Sequence, residues 1–250
     1  SVCFTVRTFS KQMLRQADVS RLSGLRLAVS SGEALPGPVR DLWQQKTGVE
    51  LAEVLGSTEM LHAFAGAAGA AIKPGYIGPA IDGYELAILD EAGNHLPQGE
   101  IGRLGVKGPT GCRYLDDPRQ ADYVQNGWNI TGDACVMDQN GYIAYHTRYD
   151  DMIISAGYNI SGLEVENTLL THVSVAECAV VGEADGERGQ IVSAFVVLDQ
   201  SGDGSDILVR ELQDHVRHHI APYKYPRRIE FVDQLPRNES GKLQRYRLRE

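Results

Sequence analysis

One stretch decides how this chain is organised, namely Tyr145-His-Thr-Arg-Tyr-Asp-Asp-Met-Ile-Ile-Ser-Ala-Gly-Tyr-Asn-Ile-Ser-Gly-Leu-Glu-Val-Glu166. Three charged side chains come just ahead of the apolar run Met152-Ile-Ile154, and a turn around Gly157 follows at once. Any six of these residues alone would suit a surface hairpin. The order of charge, strand and turn over the whole stretch instead predicts a hinge, where a Gly-rich body of short strands gives way to a module of strands and helices.

A helix is predicted directly after that turn. Its N-cap is Ser161 or Gly162, because both residue types are common at that position. Glu164 and Glu166 are predicted in the first turn, where the positive end of the helix dipole stabilises a carboxylate.

Length and composition are those of a globular protein. At 250 residues the chain can bury a sizeable core and has the length at which one domain tends to become two. Hydrophobic residues make up 42% of it and charged residues 23%, which excludes disordered, collagen-like and coiled-coil chains. No apolar run approaches the roughly 18 residues of a membrane span, and the opening residues lack the pattern of a signal peptide. We therefore expect a cytoplasmic protein without a membrane span.

Charge and cysteine content exclude two further classes. The net charge of -9 argues against nucleic-acid binding, although the tail from Lys224 to Arg249 is locally basic and could meet a phosphorylated small molecule. The four cysteines are far apart, with no C-x-x-C pair and no histidine at metal spacing. They are predicted to be reduced thiols rather than disulfides or zinc ligands.

The part before the hinge predicts a parallel α/β sheet followed by a small β subdomain. Residues 25–29 and 49–55 have buried-strand patterns, and a helix between them starts at Pro38 and ends at Gly48. Strand, helix, strand predicts parallel pairing, with ligand-binding loops at the carboxyl ends of the strands. The subdomain is predicted to have strands at 84–89, 101–107, 128–136 and 142–146, with hairpin turns at 90–94 and 138–141.

Three local expectations accompany this prediction. Val39, Leu42 and Trp43 are expected on one apolar helix face, residues 10–16 suit an exposed helix, and the small-residue stretch 63–71 is expected to be a loop. The part after the hinge predicts a compact α+β module of about 100 residues, an ordinary size for a domain. Its elements are a helix at 163–170, strands at 176–181 and 191–198, a helix at 209–219, a strand at 228–232 and a basic helical end.

Three polar segments have the chemistry of a nucleotide site. Gly56-Ser-Thr-Glu59 ends a predicted strand, so its hydroxyls can donate to phosphate and its carboxylate can hold Mg²⁺, a cation that prefers oxygen ligands. Asp133, after an apolar strand, can accept hydrogen bonds from two ribose hydroxyls. The ammonium group of Lys242, in a small polar loop, could reach an anionic centre. Taken alone, the first segment could equally be a helix N-cap, whereas the second is commoner as a plain turn and the third is better explained as a solvated basic tail.

Six ordered segments resemble motifs of the acyl- and aryl-CoA ligases in the adenylate-forming, or AMP-binding, superfamily. The resemblance covers nearly the whole chain, at the approximate spacing of that family. Residues 56–62 and 151–160 look most like the benzoate and 2-aminobenzoate CoA ligase branch. The segments are Ser31-Gly-Glu-Ala-Leu-Pro36, Gly56-Ser-Thr-Glu59, Gly99-Glu-Ile-Gly102 with Gly108-Pro109, Trp128-Asn-Ile-Thr-Gly-Asp133, residues 148–166, and Ser240-Gly-Lys242.

The resemblance implies that most of these motifs surround ATP. Thr58 is expected to contact phosphate and Glu59 to hold Mg²⁺. Asp133 is expected to bind the ribose hydroxyls, with Arg148 assisting at the ribose or phosphate. Lys242 is the implied catalytic lysine, which holds carboxylate and α-phosphate oxygens together during adenylation. The other implied nucleotide-binding residues are Ser31, Gly32, Glu33, Val54, Leu55, Gly56 and Ser57.

The resemblance also implies a reaction in two halves, with ATP, Mg²⁺ and CoA as cofactors. A carboxylate attacks the α-phosphate of ATP to give acyl-AMP and pyrophosphate, and the thiol of CoA then displaces AMP. Asp150 is the implied hinge for the turnover of the small domain between the two steps. Ser155, Ala156 and Gly157 are implied to line the pantetheine tunnel. His62 is expected to contact an aromatic carboxylate, with a structurally hydrogen-bonded histidine as an equal alternative.

The implied fold is mixed α/β and α+β. Residues 1–149 would be the latter part of the large AMP-binding domain, and residues 150–250 a mobile C-terminal domain. Leu55 and Thr147 depart from the family, which usually has an aromatic residue and a glycine there. The Gly-, Ser- and Thr-rich phosphate loop of the family's first half has no counterpart in these residues. We therefore expect the missing N-terminal half of the ligase as a partner and no adenylation by the isolated chain.

The expected function is that of an ATP-dependent acid:CoA ligase acting on an aromatic carboxylate such as benzoate or 2-aminobenzoate. Three alternatives stay open: a medium-chain acyl-CoA synthetase, an adenylating domain that loads a carrier protein, and a non-catalytic fragment that binds nucleotide or a partner. The sequence leaves open the identity of the carboxylate and the oligomeric state.

Overall fold

The chain forms two compact units, Ser1–Tyr149 and Asp150–Glu250, in a computed structural model. The structure describes residues 1–16, 18–32, 34–199, 204–239 and 241–249. None of the helices in these ranges has the length and apolar character needed to cross a membrane.

The first unit begins with a four-stranded sheet in the order β1-β2-β3-β4. The strands β1 (Val2–Thr5), β2 (Leu27–Ser30) and β3 (Leu51–Gly56) are parallel, which confirms the predicted α/β sheet. Helix α1 (Arg7–Gln16) joins the first two strands and α2 (Gly37–Thr47) the next two. Gly48 ends α2 in the left-handed region at φ 70°, as predicted for the helix C-terminus.

Three of the local expectations in this unit are wrong. Residues 63–71 are not all loop, because β4 (Ala63–Gly66) pairs antiparallel with β3. Phe64 and Ala65 are fully buried there, so packing overrides the weak strand propensity of alanine and glycine. Leu42 is 40% exposed, whereas Trp43 is buried. The α1 segment is not wholly exposed, because Leu14 packs against the core around Trp43.

The second sheet of this unit is the predicted β subdomain. Its strands are β5 (Glu85–Leu89), β6 (Ile101–Lys107), β7 (Val124–Gln125), β8 (Trp128–Met137) and β9 (Ile143–Arg148), all antiparallel, with the short helix α3 (Gln120–Tyr123) before β7. The predicted turn after β8 is a tight hairpin. It forms because Asp138 Oδ1 accepts hydrogen bonds from the backbone N–H groups of Asn140 and Tyr142, both at 2.9 Å.

The second unit is a five-stranded sheet covered by two helices. Its elements are β10 (Ile153–Ser155), β11 (Tyr158–Ile160), α4 (Gly162–Leu169), β12 (Val175–Asp185), β13 (Gly189–Leu198), α5 (Asp206–His219) and β14 (Arg228–Phe231). The strand order is β11-β10-β13-β12, with β14 parallel to β13. The predicted basic helical end is only a 3-10 turn, Arg245–Leu248.

Alternate residues of β12 pack on opposite faces of that sheet. Cys178 and Val180 join a core that includes Leu169 of α4 and Leu212 of α5. Ala179 and Val181 instead pack against the C-terminal tail. The tail that contains Lys242 therefore packs against this face of the sheet through Leu235, Leu243 and Leu248.

The N-terminus of α4 confirms one prediction and corrects another. Ser161 is the N-cap, with its side chain accepting a hydrogen bond from the backbone N–H of Glu164 at 3.4 Å. Glu166 is not in the first turn. Its carboxylate is 3% exposed and accepts hydrogen bonds from the backbone N–H of Val180 and, on both oxygens, from Arg245. This carboxylate therefore links the tail to the sheet and does not interact with the helix dipole at the N-terminus.

Candidate functional site

Ser31 and Gly32 follow the carboxyl end of β2, as the sequence implies. The backbone N–H of Ser31 donates to the carbonyl oxygen of Thr5 at 3.1 Å, and Gly32 takes a φ of 79° that favours glycine. Glu33, the third implied residue of this loop, lies outside the described residues.

A half-buried carboxylate that sequence reasoning missed holds this loop. Glu53 of β3 accepts a hydrogen bond from the backbone N–H of Leu35 at 2.8 Å on one oxygen and from Arg40 at 2.9 Å on the other. A glutamate inside an otherwise apolar strand is the signal that could have found it. The loop after β2 is thus fastened to the neighbouring strand β3.

The segment after β3 is a turn. The Ser57 hydroxyl accepts a hydrogen bond from the backbone N–H of Met60 at 3.2 Å, and the carbonyl of Thr58 accepts one from Leu61 at 3.1 Å. No helix begins here, so the N-cap alternative is wrong for this described segment. A Cβ at Gly56 would lie 2.5 Å from the carbonyl oxygen of His62, which only glycine avoids.

The other implied residues of this strand and turn vary in exposure. Val54 and Leu55 are half-buried at the end of β3, with Leu55 packed against the core around Met60. Thr58 and His62 are exposed. The His62 ring lies 6.0 Å from that of Phe4, centroid to centroid. A contact of His62 with an acyl group stays a prediction.

The Glu59 carboxylate is half-buried and hydrogen-bonded. The phenol of Tyr114 donates to its Oε1 at 2.7 Å. Burial acts to raise the pKa of Glu59, but hydrogen bonds from Tyr114, its own backbone N–H and Ser57, together with the charge of Arg148, lower it overall. The same hydrogen bond and burial raise the pKa of Tyr114 to about 12. Near neutral pH, Glu59 is therefore a carboxylate and Tyr114 a donor.

Asp133 and Arg148 form a cross-strand pair between β8 and β9. Arg148 Nη1 donates to Asp133 Oδ1 at 3.0 Å and to the carbonyl oxygen of Thr131 at 2.8 Å. Gly132, between Thr131 and Asp133 in the sequence, has a φ of 76°, and a Cβ there would come 2.4 Å from Arg148 Nη2. The structure thus brings together Asp133, which the resemblance places at the ribose, and Arg148, which it places at the ribose or phosphate.

The carboxylates of Glu59 and Asp133 in the first unit are oxygen ligands of the kind that a hard cation prefers. In the described ranges, no three His, Cys, Asp or Glu side chains form a metal cluster. A single carboxylate beside an exposed hydroxyl fits Mg²⁺, which usually binds one or two protein carboxylates and completes its shell with water and substrate phosphate. Glu59, beside Thr58, has this arrangement.

Lys242 lies in a closed loop at the end of the second unit. Its backbone N–H donates to Asn238 Oδ1 at 2.8 Å, and its carbonyl oxygen accepts from the Asn238 N–H at 2.9 Å. Arg237 donates to the carbonyl of Gly241 and to Glu177, each at 2.9 Å. The Lys242 side chain is exposed. Sequence reasoning missed Arg237, which fixes the loop from its other side.

The residues implied for CoA form the tip of the β10–β11 hairpin. Ser155 pairs with Tyr158, and the two residues between them, Ala156 and Gly157, have φ angles of 49° and 83°. Positive φ at both positions is the type I′ turn of tight hairpins. The Ala156 N–H donates to the carbonyl of Arg188 at 2.9 Å. The tip is therefore fixed to the strand connection that precedes β13.

Asp150 is exposed in a 3-10 turn, Tyr149–Asp151, at which the two units meet in sequence. Its role as a pivot, and the movement of the second unit, stay predictions.

Two family models match the chain. The model of the AMP-binding enzyme matches residues 1–113, and the model of the AMP-binding enzyme C-terminal domain matches residues 164–242. The two ranges together make up more than half of the chain.

Curated relatives and solved structures match nearly all of it. Rat mitochondrial acyl-coenzyme A synthetase ACSM4 is 43% identical over 96% of this chain and 43% of its own length. Human ACSM3 is 40% identical over 95% of this chain and 42% of its own. The anthranilate CoA ligase AuaEII, solved with anthranoyl-AMP, is 37% identical with a TM-score of 0.91, over 99% of this chain and 49% of its own. The benzoate CoA ligase of Burkholderia xenovorans LB400 is also 37% identical, with a TM-score of 0.88, over 100% and 51%.

Proposed function

Because the chain belongs to the family of AMP-binding enzymes, we propose that it is the latter half of an ATP-dependent acid:CoA ligase. The chain spans about half the length of the relatives it matches, so this activity is that of the whole protein. The observation that carries the proposal is the convergence of three separate motifs in the first unit. Arg148 pairs with Asp133, and its charge acts on the carboxylate of Glu59.

In the first half-reaction, the residues of this chain bind and orient ATP. Asp133 accepts hydrogen bonds from the ribose, and Thr58 donates to phosphate. Mg²⁺ held at Glu59 would offset negative charge on the phosphate oxygens, which is electrostatic help worth several kcal/mol in enzymes of this kind. The Lys242 ammonium holds the carboxylate and the α-phosphate together.

In the second half-reaction, the CoA thiol displaces AMP, and Lys242 has no part in it. The hairpin tip at Ser155, Ala156 and Gly157 then lines the path of the pantetheine chain. One unit thus presents two faces in turn, with Asp150 as the pivot. The adenylating domain and the mobile C-terminal domain are assigned to residues 1–149 and 150–250.

We propose an aromatic carboxylate as the substrate. Its support is the similarity to a benzoate and an anthranilate CoA ligase, together with the exposed ring of His62. A medium-chain carboxylic acid is the second candidate substrate. Its support is the similarity to acyl-coenzyme A synthetases that are about 40% identical to this chain.

The experiment is a pair of assays on the full-length protein with benzoate, 2-aminobenzoate and octanoate. We expect acid-dependent ATP–pyrophosphate exchange, AMP release that requires CoA, and the highest kcat/KM with an aromatic acid. A preference for octanoate would replace the substrate proposal alone. The absence of any acid-dependent exchange would contradict the ligase, and thioester transfer only to a carrier protein would indicate the carrier-loading alternative.

The cytoplasmic location expected from the sequence is likewise a proposal. The relatives named above include proteins described as mitochondrial, so imaging the tagged full-length protein in its own cells is a direct test.

A further inference from the structure

Tyr114 reaches the implied metal-binding carboxylate from a distant part of the sequence. Its phenol donates to Glu59 Oε1 at 2.7 Å across 55 residues of chain. A hydrogen bond to a carboxylate is stronger than one between neutral groups and is directional, so it fixes the rotation of the group that accepts it. None of the sequence motifs includes this tyrosine.

The Tyr114 ring is itself held in place. Its backbone N–H donates to Gln120 Oε1 at 2.7 Å, and its ring lies 5.4 Å from that of Tyr123. The Tyr123 hydroxyl donates to the sulfur of Met60 at 3.7 Å, and Met60 is the fully buried neighbour of Glu59. The segment 114–123 is therefore attached to the turn after β3 at two points, one of which is the carboxylate.

We propose that Tyr114 is a positioning residue that orients the Glu59 carboxylate toward the Mg²⁺ of bound Mg²⁺–ATP. This inference rests on the proposed function. Partners of metal-binding side chains set the direction of the ligand, and their loss typically costs 10–100-fold in metal affinity or activity. Tyr123 belongs to the same aromatic pair, but its hydroxyl donates to Met60 rather than to Glu59, so it serves as the matched control.

The test measures binding of Mn²⁺, a paramagnetic stand-in for Mg²⁺, to the full-length protein in the presence of ATP by electron paramagnetic resonance. We expect Tyr114→Phe to weaken Mn²⁺–ATP binding about tenfold, within the range for such partners. Tyr123→Phe should stay within about twofold of the parent protein, because its phenol leaves Glu59 untouched. In kinetics, the apparent KM for Mg²⁺ should rise for Tyr114→Phe, while the KM for the carboxylic acid should not change.

A second variant guards against a folding defect. Gln120→Leu keeps both rings and removes only the acceptor of the Tyr114 N–H, so it should weaken Mn²⁺–ATP binding in the same direction and by less. Parental binding by Tyr114→Phe, or an equal loss in Tyr123→Phe, would overturn the positioning role. Failure of the parent protein to bind Mn²⁺–ATP at all would instead count against the proposed function.

Discussion

The two units hold their implied catalytic residues in different ways. The Lys242 loop of the second unit is tied down by Asn238 and Arg237, and the tail just beyond it by the buried carboxylate of Glu166. Glu59 of the first unit is half-buried in a short turn, with its carboxylate held from outside the turn by Tyr114. The lysine loop is thus flanked by Leu235 and Leu243, which pack on the sheet of its own unit, whereas the orientation of the carboxylate depends on few contacts.

The largest effect on stability should come from Glu166→Ala, which removes the partner of Arg245 in the tail just beyond Lys242. The substitution removes the buried carboxylate that accepts hydrogen bonds from the Val180 N–H and from Arg245. We expect this loss to destabilise the second unit by about 3 kcal/mol. Amide hydrogen exchange of α4 and β12 measures this unit separately, whereas tryptophan fluorescence follows the first unit, which contains both tryptophans.

Glu183→Ala is the control for Glu166→Ala. Glu183 pairs with Arg228 at 2.8 Å, but both side chains are well exposed, so its loss should cost less than about 1 kcal/mol. Equal losses in the two variants would show that the buried anchor is no stronger than a surface ion pair.

A smaller effect is expected from Gly132→Ala, which disturbs the Asp133–Arg148 pair of the first unit. The new Cβ adds a clash with Arg148 to the cost of a positive φ. Gly141→Ala is the matched control, because Gly141 has a similar φ of 78° with open space around it. We expect about 1 kcal/mol for Gly141→Ala and about 1 kcal/mol more for Gly132→Ala in urea unfolding followed by fluorescence. Equal costs would mean that Arg148 moves aside freely.

The smallest effect is a pH dependence confined to the second unit. Burial, followed by the charges of His219, His172 and His218, lowers the pKa of His215 below the ordinary 6.5. The unfolded chain therefore binds the proton first as pH falls, so this contribution to stability is fully present above about 6.5 and is lost below it. Hydrogen exchange of α5 at pH 7.5 and 5.5 should show the loss, and His215→Gln should reduce it. An unchanged pH dependence in His215→Gln would contradict this assignment.

The elements that depend on local sequence pattern were predicted correctly. The bounds of β6 coincide with the predicted strand 101–107, and the parallel order of β1, β2 and β3 follows from strand and helix alternation. The N-cap at Ser161 follows from residue type alone.

What the sequence misses are contacts made across the fold. The sequence does not predict β4, because alanine and glycine have weak strand propensity; the strand forms by pairing with β3 and burying Phe64. Glu166 has the residue type of a helix-dipole carboxylate, yet its partner Arg245 lies 79 residues away. The hydrogen bond of Tyr114 to Glu59 likewise requires tertiary structure, so no spacing rule could have predicted it.

The central claim is that Lys242, in a loop built into the second unit, serves adenylation alone. The most direct test is Lys242→Ala in the full-length protein, with the two half-reactions measured separately. We predict that acyl-AMP formation is nearly abolished, while thioester formation from supplied acyl-AMP and CoA proceeds at the parental rate. Equal loss in both half-reactions would contradict the account.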